Sequence, residues 1–362
     1  VYDPFTTRAN PSGSGFIRDA FPGNKIAPGR MDAVGRNVLK YYPLPNQPGD
    51  AYTQKNNYSR SGSASVNTDN YDVRVDHNLS DTQKLLARYS KRHLEDVPAI
   101  LFPREITIAE GRIVNTNWNH HAVAEHSYTL SPTTVLTSRL GFSRNLFPYQ
   151  NQGVGFLPST LGLPSLIDSY TDQVMFPRIE AAGYASLGHR DHRRSTSNTF
   201  SASASLAQTR GSHTLKYGFE GRMFRSNTRE LRAPSGEFRF NAAFTQGPNP
   251  LTASATAGNG LASLLLGTGV SGDRLMTQYK DEAAQSFYLA GYAQDDWRVS
   301  PKLTLNLGVR WDLDTPRTER FNRLNYFDPQ VRSPLAGVIG GFPDMRGGLI
   351  YQGVDGNSRH QY

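Results

Sequence analysis

Apolar and polar residues alternate with period two at four places along the chain, and each place reads as two strands joined by a tight polar turn. The sharpest is FYLAGY (287–292), the turn V-S-P-K, and LTLNLGVRWD (303–312). In its return arm Leu303, Leu305, Leu307, Val309 and Trp311 share one face, and Thr304, Asn306, Gly308, Arg310 and Asp312 share the other. A second pair turns at T-R-G-S (209–212). There Phe200, Ala202, Ala204 and Leu206 oppose three serines, and Leu215, Tyr217, Phe219 and Met223 oppose Lys216, Glu220 and Arg222. A third, NYDVRVDH (70–77), sets Tyr71, Val73 and Val75 against Asp72, Arg74 and Asp76, and returns with Leu85, Ala87 and Tyr89 opposite Arg88 and Ser90. The fourth turns at L-S-P-T-T, with Leu136, Leu140 and Phe142 on the oily face of its return arm. Its first arm, HHAVAEHSYT (120–129), is less clearly amphipathic.

The turns within the pairs are short, four to six residues with Ser, Asp, Pro or Gly at the bend. Between the pairs lie long connections at 93–117, 146–196, 228–284 and 313 onward, rich in Pro, Gly, Asn and charge. Strands of about ten residues, short turns at one end and long loops at the other describe a transmembrane β-barrel. The expected fold is therefore all-β, an antiparallel outer-membrane barrel with short periplasmic turns and long extracellular loops. A soluble all-β sandwich would distribute its loops more evenly.

Composition agrees with a barrel. The chain is 37% hydrophobic with a mean hydropathy of -0.54, which suits strands that need apolar residues only at alternate positions. The longest apolar run, LASLLLG (261–267), falls far short of the roughly 18 residues of a spanning helix. The net charge of +8 raises nucleic-acid binding. The cations are scattered, however, and the densest group, His189, Arg190, His192, Arg193 and Arg194, sits at the end of an expected outer loop. No nucleic-acid partner is expected. The absence of cysteine removes disulfides and thiolate metal sites.

No catalytic, cofactor or metal site is expected. The chain lacks G-x-S-x-G, the P-loop pattern and H-E-x-x-H. His120, His121, Glu125 and His126 could suggest a metal, but along a strand His120 and His126 face opposite to His121 and Glu125. Asp295 and Asp296 beside Trp297 suit a rim position with the indole at the membrane interface. Gly267, Gly269 and Gly272 read as loop flexibility.

Asp72, Arg74, Asp76, Arg88, Lys216, Glu220, Arg222, Asn306, Arg310 and Asp312 are expected to face the lumen, because charge is costly in lipid. Tyr71, Tyr89, Phe142, Phe200, Tyr217, Phe219, Tyr288, Tyr292 and Trp311 are expected on the lipid face or at its interfaces.

Several segments carry a resemblance: YDPFTT (2–7), FPGNKIAPGRMD (21–32), YYPLPN (41–46), GEFRF (236–240) with GLASLLLG (260–267), and above all YAQDDWRVSPKLTLNLGVRWD (292–312). In these the chain resembles the Oar-like branch of the TonB-dependent receptors, and the resemblance runs through essentially its whole length. It implies a barrel of about 22 strands, of which eight or nine are visible, so the chain reads as an internal barrel piece without its plug. It also implies residence in the outer membrane of a Gram-negative-type bacterium, contact with outer-membrane lipid, a TonB complex acting through the plug, and an unidentified ligand. Residues 1–69 are expected to be a loop-rich extracellular segment, 70–328 the barrel strands, and 329–362 a further extracellular loop segment. The alternative is an adhesion or structural barrel without transport.

Overall fold

The computed structural model describes residues 1–51, 54–254, 256–268, 276 and 280–359. Eight long strands form one antiparallel meander: β1 (Ser65–Ser80), β2 (Gln83–Val97), β3 (Ile113–Ser131), β4 (Thr134–Asn151), β5 (Asp191–Arg210), β6 (His213–Arg232), β7 (Glu282–Ser300) and β8 (Leu303–Asp314). Sheet order follows chain order, and the short strand Thr318–Glu319 extends the pairing of β7 past the end of β8. The sheet is open, with the outer edges of β1 and β8 unpaired among the described residues.

All four expected hairpins form, with tighter turns than the sequence suggests. The ladders run on to Ser80/Gln83, Ser131/Thr134, Arg210/His213 and Ser300/Leu303, leaving two residues at each bend. In three turns the N–H two residues on reaches the bend serine's hydroxyl at 3.3 Å, from Thr82 to Ser80, Thr133 to Ser131 and Lys302 to Ser300; this is the local side-chain chemistry that favours Ser at turns. The bends are also tied to their neighbours. Thr82, Thr133 and Ser212 each accept at 2.8 Å from the backbone of the next hairpin.

At the opposite end the strands overrun their expected limits, so the connections shrink to 98–112, 152–190 and 233–281. A strand of 20 residues extends roughly 65 Å, about twice the 9 to 11 residues that cross a bilayer. Past the apolar band both faces turn polar. Alternation vanishes from the sequence there while backbone pairing continues.

Directly opposed residues share a face, so the register sorts the sheet into two surfaces. One row joins Trp311, Gly291, Phe219, Ala204 and Ser138. Its large side chains lie bare, with Trp311 58% and Phe219 54% exposed. The packed core lies elsewhere. Val38, Phe102, Ala109, Phe156, Leu161, Phe176, Ile179, Ala181, Leu187 and Leu264 bury one another, and all come from the connections and the N-terminal segment.

Those segments therefore form a compact module rather than bare loops. Helix Ala33–Leu39 starts at Asp32, whose carboxylate accepts from the Gly35 N–H at 3.0 Å. Helix Gly260–Leu265 starts at Asn259 in the same way. The two helices meet at Gly35, where a β-carbon would stand 2.6 Å from the Leu264 carbonyl oxygen. Gly267, expected to mark flexibility, ends the second helix at φ +60° instead; Gly269 and Gly272 lie outside the described residues. Strands Arg178–Ala181 and Glu237–Phe240 pair in parallel beside these helices. Arg18, just past a short N-terminal hairpin of Arg8–Ala9 with Phe16–Ile17, donates to the carbonyls of Ala243, Phe244 and Gln246 at 3.0–3.1 Å. The barrel sheet begins at Ser65 rather than at residue 70, and residues 325–351 carry a separate hairpin of Asn325–Arg332 with Arg346–Tyr351.

Candidate functional site

The charge-bearing face of the sheet gathers the expected lumen residues into ion pairs. Arg74 reaches Asp76 at 2.6 Å and Lys84 reaches the same carboxylate at 3.5 Å. Arg88 donates to Asp72 at 2.8 Å, and the Ser90 hydroxyl bonds that oxygen too. Arg222 pairs with Glu220, and Arg310 with Asp312 at 3.1 Å. Lys216 and Asn306 share the same face, Lys216 opposite Gln294 and Asn306 opposite Asp296.

Two residues not among those expected in the lumen complete the row: Glu125 and Arg139, directly opposed on β3 and β4 and ion-paired. On Glu125's arm the apolar face carries His120 and His126, which blurs the alternation. There they are satisfied by side chains, His120 by the Tyr89 hydroxyl at 2.7 Å and His126 by Gln83 at 3.1 Å. His121 and Glu125 lie on the other face, so the four residues do not converge.

Tyr71, Tyr89, Phe142, Phe200, Tyr217, Phe219 and Trp311 share the apolar face. Tyr288 and Tyr292 do not. The register sets Tyr292 opposite Arg310 and Gly218, and Tyr288 opposite Arg222, so both stand on the charge-bearing face. Leu289 and Phe287 take the apolar parity instead, opposite Leu313 and Met223. The Tyr288 hydroxyl donates to Asp312 and accepts from Arg310 at 2.7 Å, and Arg222 lies 5.5 Å over its ring. The Tyr292 ring fills the space left by Gly218, where a β-carbon would lie 2.2 Å from it. A phenol between charged partners gains hydrogen bonds that lipid could not give.

At the turn end Trp297 stacks on His213 at 5.3 Å, and His213 pairs with Asp295 at 2.7 Å. The basic group near residue 190 is divided. Arg190 lies 3.7 Å from Glu237, Arg193 sits over the Tyr149 ring at 5.7 Å, and Arg194 stands on the opposite face from Arg193.

The module contributes an apolar cleft of about 730 Å³ lined by Val34, Phe238, Phe240 and Leu264, with Asp32 and Glu237 at its polar side. That size and lining suit a small molecule. Glu237 is buried and held by Arg239 at 2.8 Å. Tyr42, partly buried against the module's core, has its hydroxyl pushed up to about 12 by desolvation, with the neighbouring Tyr184 adding to the rise. Burial also pushes His189 below its ordinary 6.5, against the pull of Asp191. Its neutral Nδ1 accepts from the Asp191 N–H at 3.1 Å, while its carbonyl accepts from Asn151 at 2.7 Å. This links the module to the end of β4.

An alternation of paired acids and bases on one face, lipid-compatible residues on the other and a packed module at one end forms a wall. No curated protein matches the chain. Similar solved structures include P. aeruginosa FpvA bound to a ferric pyoverdine (11% identity, TM-score 0.42, 73% of this chain and 32% of that one). The siderophore receptor PiuA from Acinetobacter baumannii is 13% identical with a TM-score of 0.38, over 73% of this chain and 37% of that one. The copper transporter OprC is 9% identical with a TM-score of 0.38, over 79% of this chain and 33% of that one. The chain thus spans about a third of the length of each. Residues 1–362 match the family model of the outer membrane beta barrel domain, and the chain belongs to that family, a barrel wall of the outer membrane.

Proposed function

We propose that the chain is part of the barrel of a TonB-dependent receptor of the Oar-like branch, which takes up an unidentified ligand. The module at the long-connection end receives the ligand outside the cell, and the charge-bearing face lines the interior along which it passes. The plug and the TonB complex supply the drive, and the chain performs no catalysis. The observation that carries this reading is the charge-bearing face, where each main arginine is matched by a carboxylate two residues away or across one strand. Such a wall is wet and near-neutral, and it offers hydrogen bonds to a plug or to a polar solute.

A second reading is an adhesion or structural barrel, favoured by Val338 and Phe342, exposed in the segment joining the two strands of the 325–351 hairpin. The test uses the full-length protein in cells. Immobilised periplasmic TonB domain should retain it, and growth in competition should depend on both the protein and the proton gradient. Failure to bind TonB, with cell–cell attachment lost on deletion of the gene, would select adhesion.

A further inference from the structure

Just beyond the apolar band, on the same face, the sheet turns cationic. Lys91, Arg144 and Arg225 stand about ten residues along from the strand starts Gln83, Thr134 and His213, about the length that crosses hydrocarbon. Cross-strand pairing places Lys91 against His120, His120 against Arg144, Arg144 against Asn198, and Asn198 against Arg225. This row contains no carboxylate.

Next to it, away from the turns, is a cleft of about 470 Å³ lined by Arg144, Arg194, Arg229 and Arg320 against two carboxylates, Asp281 and Glu282. Asp281 is already taken by Arg229, at 2.6 and 2.9 Å. Arg194 lies directly opposite Arg229 in the register; Arg229 is matched by Asp281 and by Asp172 at 4.0 Å, which leaves Glu282 as the one further carboxylate of the lining beside Arg144, Arg194 and Arg320. Asn198 lines the same cleft, is only 9% exposed, and its side-chain oxygen reaches no hydrogen-bond donor among the described residues. Turning its amide over would present N–H groups there.

We propose that this cleft binds the phosphate of an anionic lipid headgroup in the outer leaflet, with the acyl chains lying along the apolar face below it. Guanidinium groups suit phosphate because they donate in parallel pairs, and the position at the edge of the band is where a headgroup sits. The proposal rests on the apolar face meeting lipid and is independent of ligand uptake.

The test uses the full-length protein in nanodiscs, with bis-phosphorylated lipid A as the probe and its dephosphorylated form as the comparison, read by native mass spectrometry. Wild type should retain the phosphorylated form about tenfold more tightly. Arg144→Ala with Arg194→Ala should remove that preference. Arg298→Ala with Lys302→Ala, an equal loss of charge at the turn end, should leave it intact. Heat-modifiability on gels checks that the variants fold, and the wild-type comparison stands even if they do not. Equal retention of both lipids by wild type, an unchanged preference in the double variant, or displacement of lipid A by millimolar inorganic phosphate would overturn the proposal.

Discussion

The sheet and the module solve opposite solvent problems with the same residue types. In the sheet, Leu140, Phe219 and Val309 are exposed and the ion pairs gather on the other side. In the module, Phe176, Leu161 and Leu187 are sealed inside and the charges sit around them. A lone phenylalanine therefore does not report its solvent. What does is its period: two along the barrel strands, and irregular in the module, where contacts come from segments far apart in the chain.

The largest expected effect comes from the module. Phe176 is fully buried against Tyr41 and Phe156, so Phe176→Ala should cost about 3–5 kcal/mol. Limited proteolysis should then cut within 152–190 while the strands stay protected. If the strands were lost together with the module, the two regions would be one folding unit and the contrast would fail.

Next comes the apolar face. Val309→Arg puts a charge into hydrocarbon at roughly 2–4 kcal/mol, while Asn306→Arg places the same charge on the opposite face. Assembled barrel in outer-membrane fractions of cells making the full-length protein should fall for the first and hold for the second. A smaller loss is expected for Tyr288→Phe, which removes the hydroxyl joining Asp312 and Arg310. The midpoint of heat-modifiability should drop by a few degrees, whereas a tyrosine facing lipid would tolerate the change or gain from it.

The smallest effect is one of pH. Burial holds the folded His189 below its ordinary 6.5, so the unfolded chain takes up the proton first. The stability gained from a neutral His189 is present above about pH 6.5 and is lost as pH falls through that value toward the folded one. Hydrogen exchange near Asn151 and Asp191 should speed up between pH 7 and 5, and His189→Gln should flatten that dependence.

The four hairpins were legible because alternation and a bend serine or glycine coincide, as at Ser300 before LTLNLGVRWD. The module was not. Its helix at 260–265 is shorter than two turns of an α-helix, and it exists because Gly35 lets Leu264 approach. FYLAGY misled for a different reason. It has large apolar or aromatic residues on both parities, and only the partner strand, with Gly218 making room for Tyr292, decides which face each takes. For Glu125 and Arg139 the parity of each could be read along its own strand, but only the register between the strands sets them directly opposite one another as an ion pair.

The most direct test exploits the absence of cysteine from these 362 residues, with any cysteine elsewhere in the full-length protein replaced by serine. Single cysteines placed in turn at positions 303 to 312 of the full-length protein, in intact outer membranes, can be challenged with a small water-soluble maleimide. Labelling should alternate, strong at 304, 306, 308, 310 and 312 and weak at 305, 307, 309 and 311. Uniform labelling, or the reverse alternation, would contradict the assignment of the two faces.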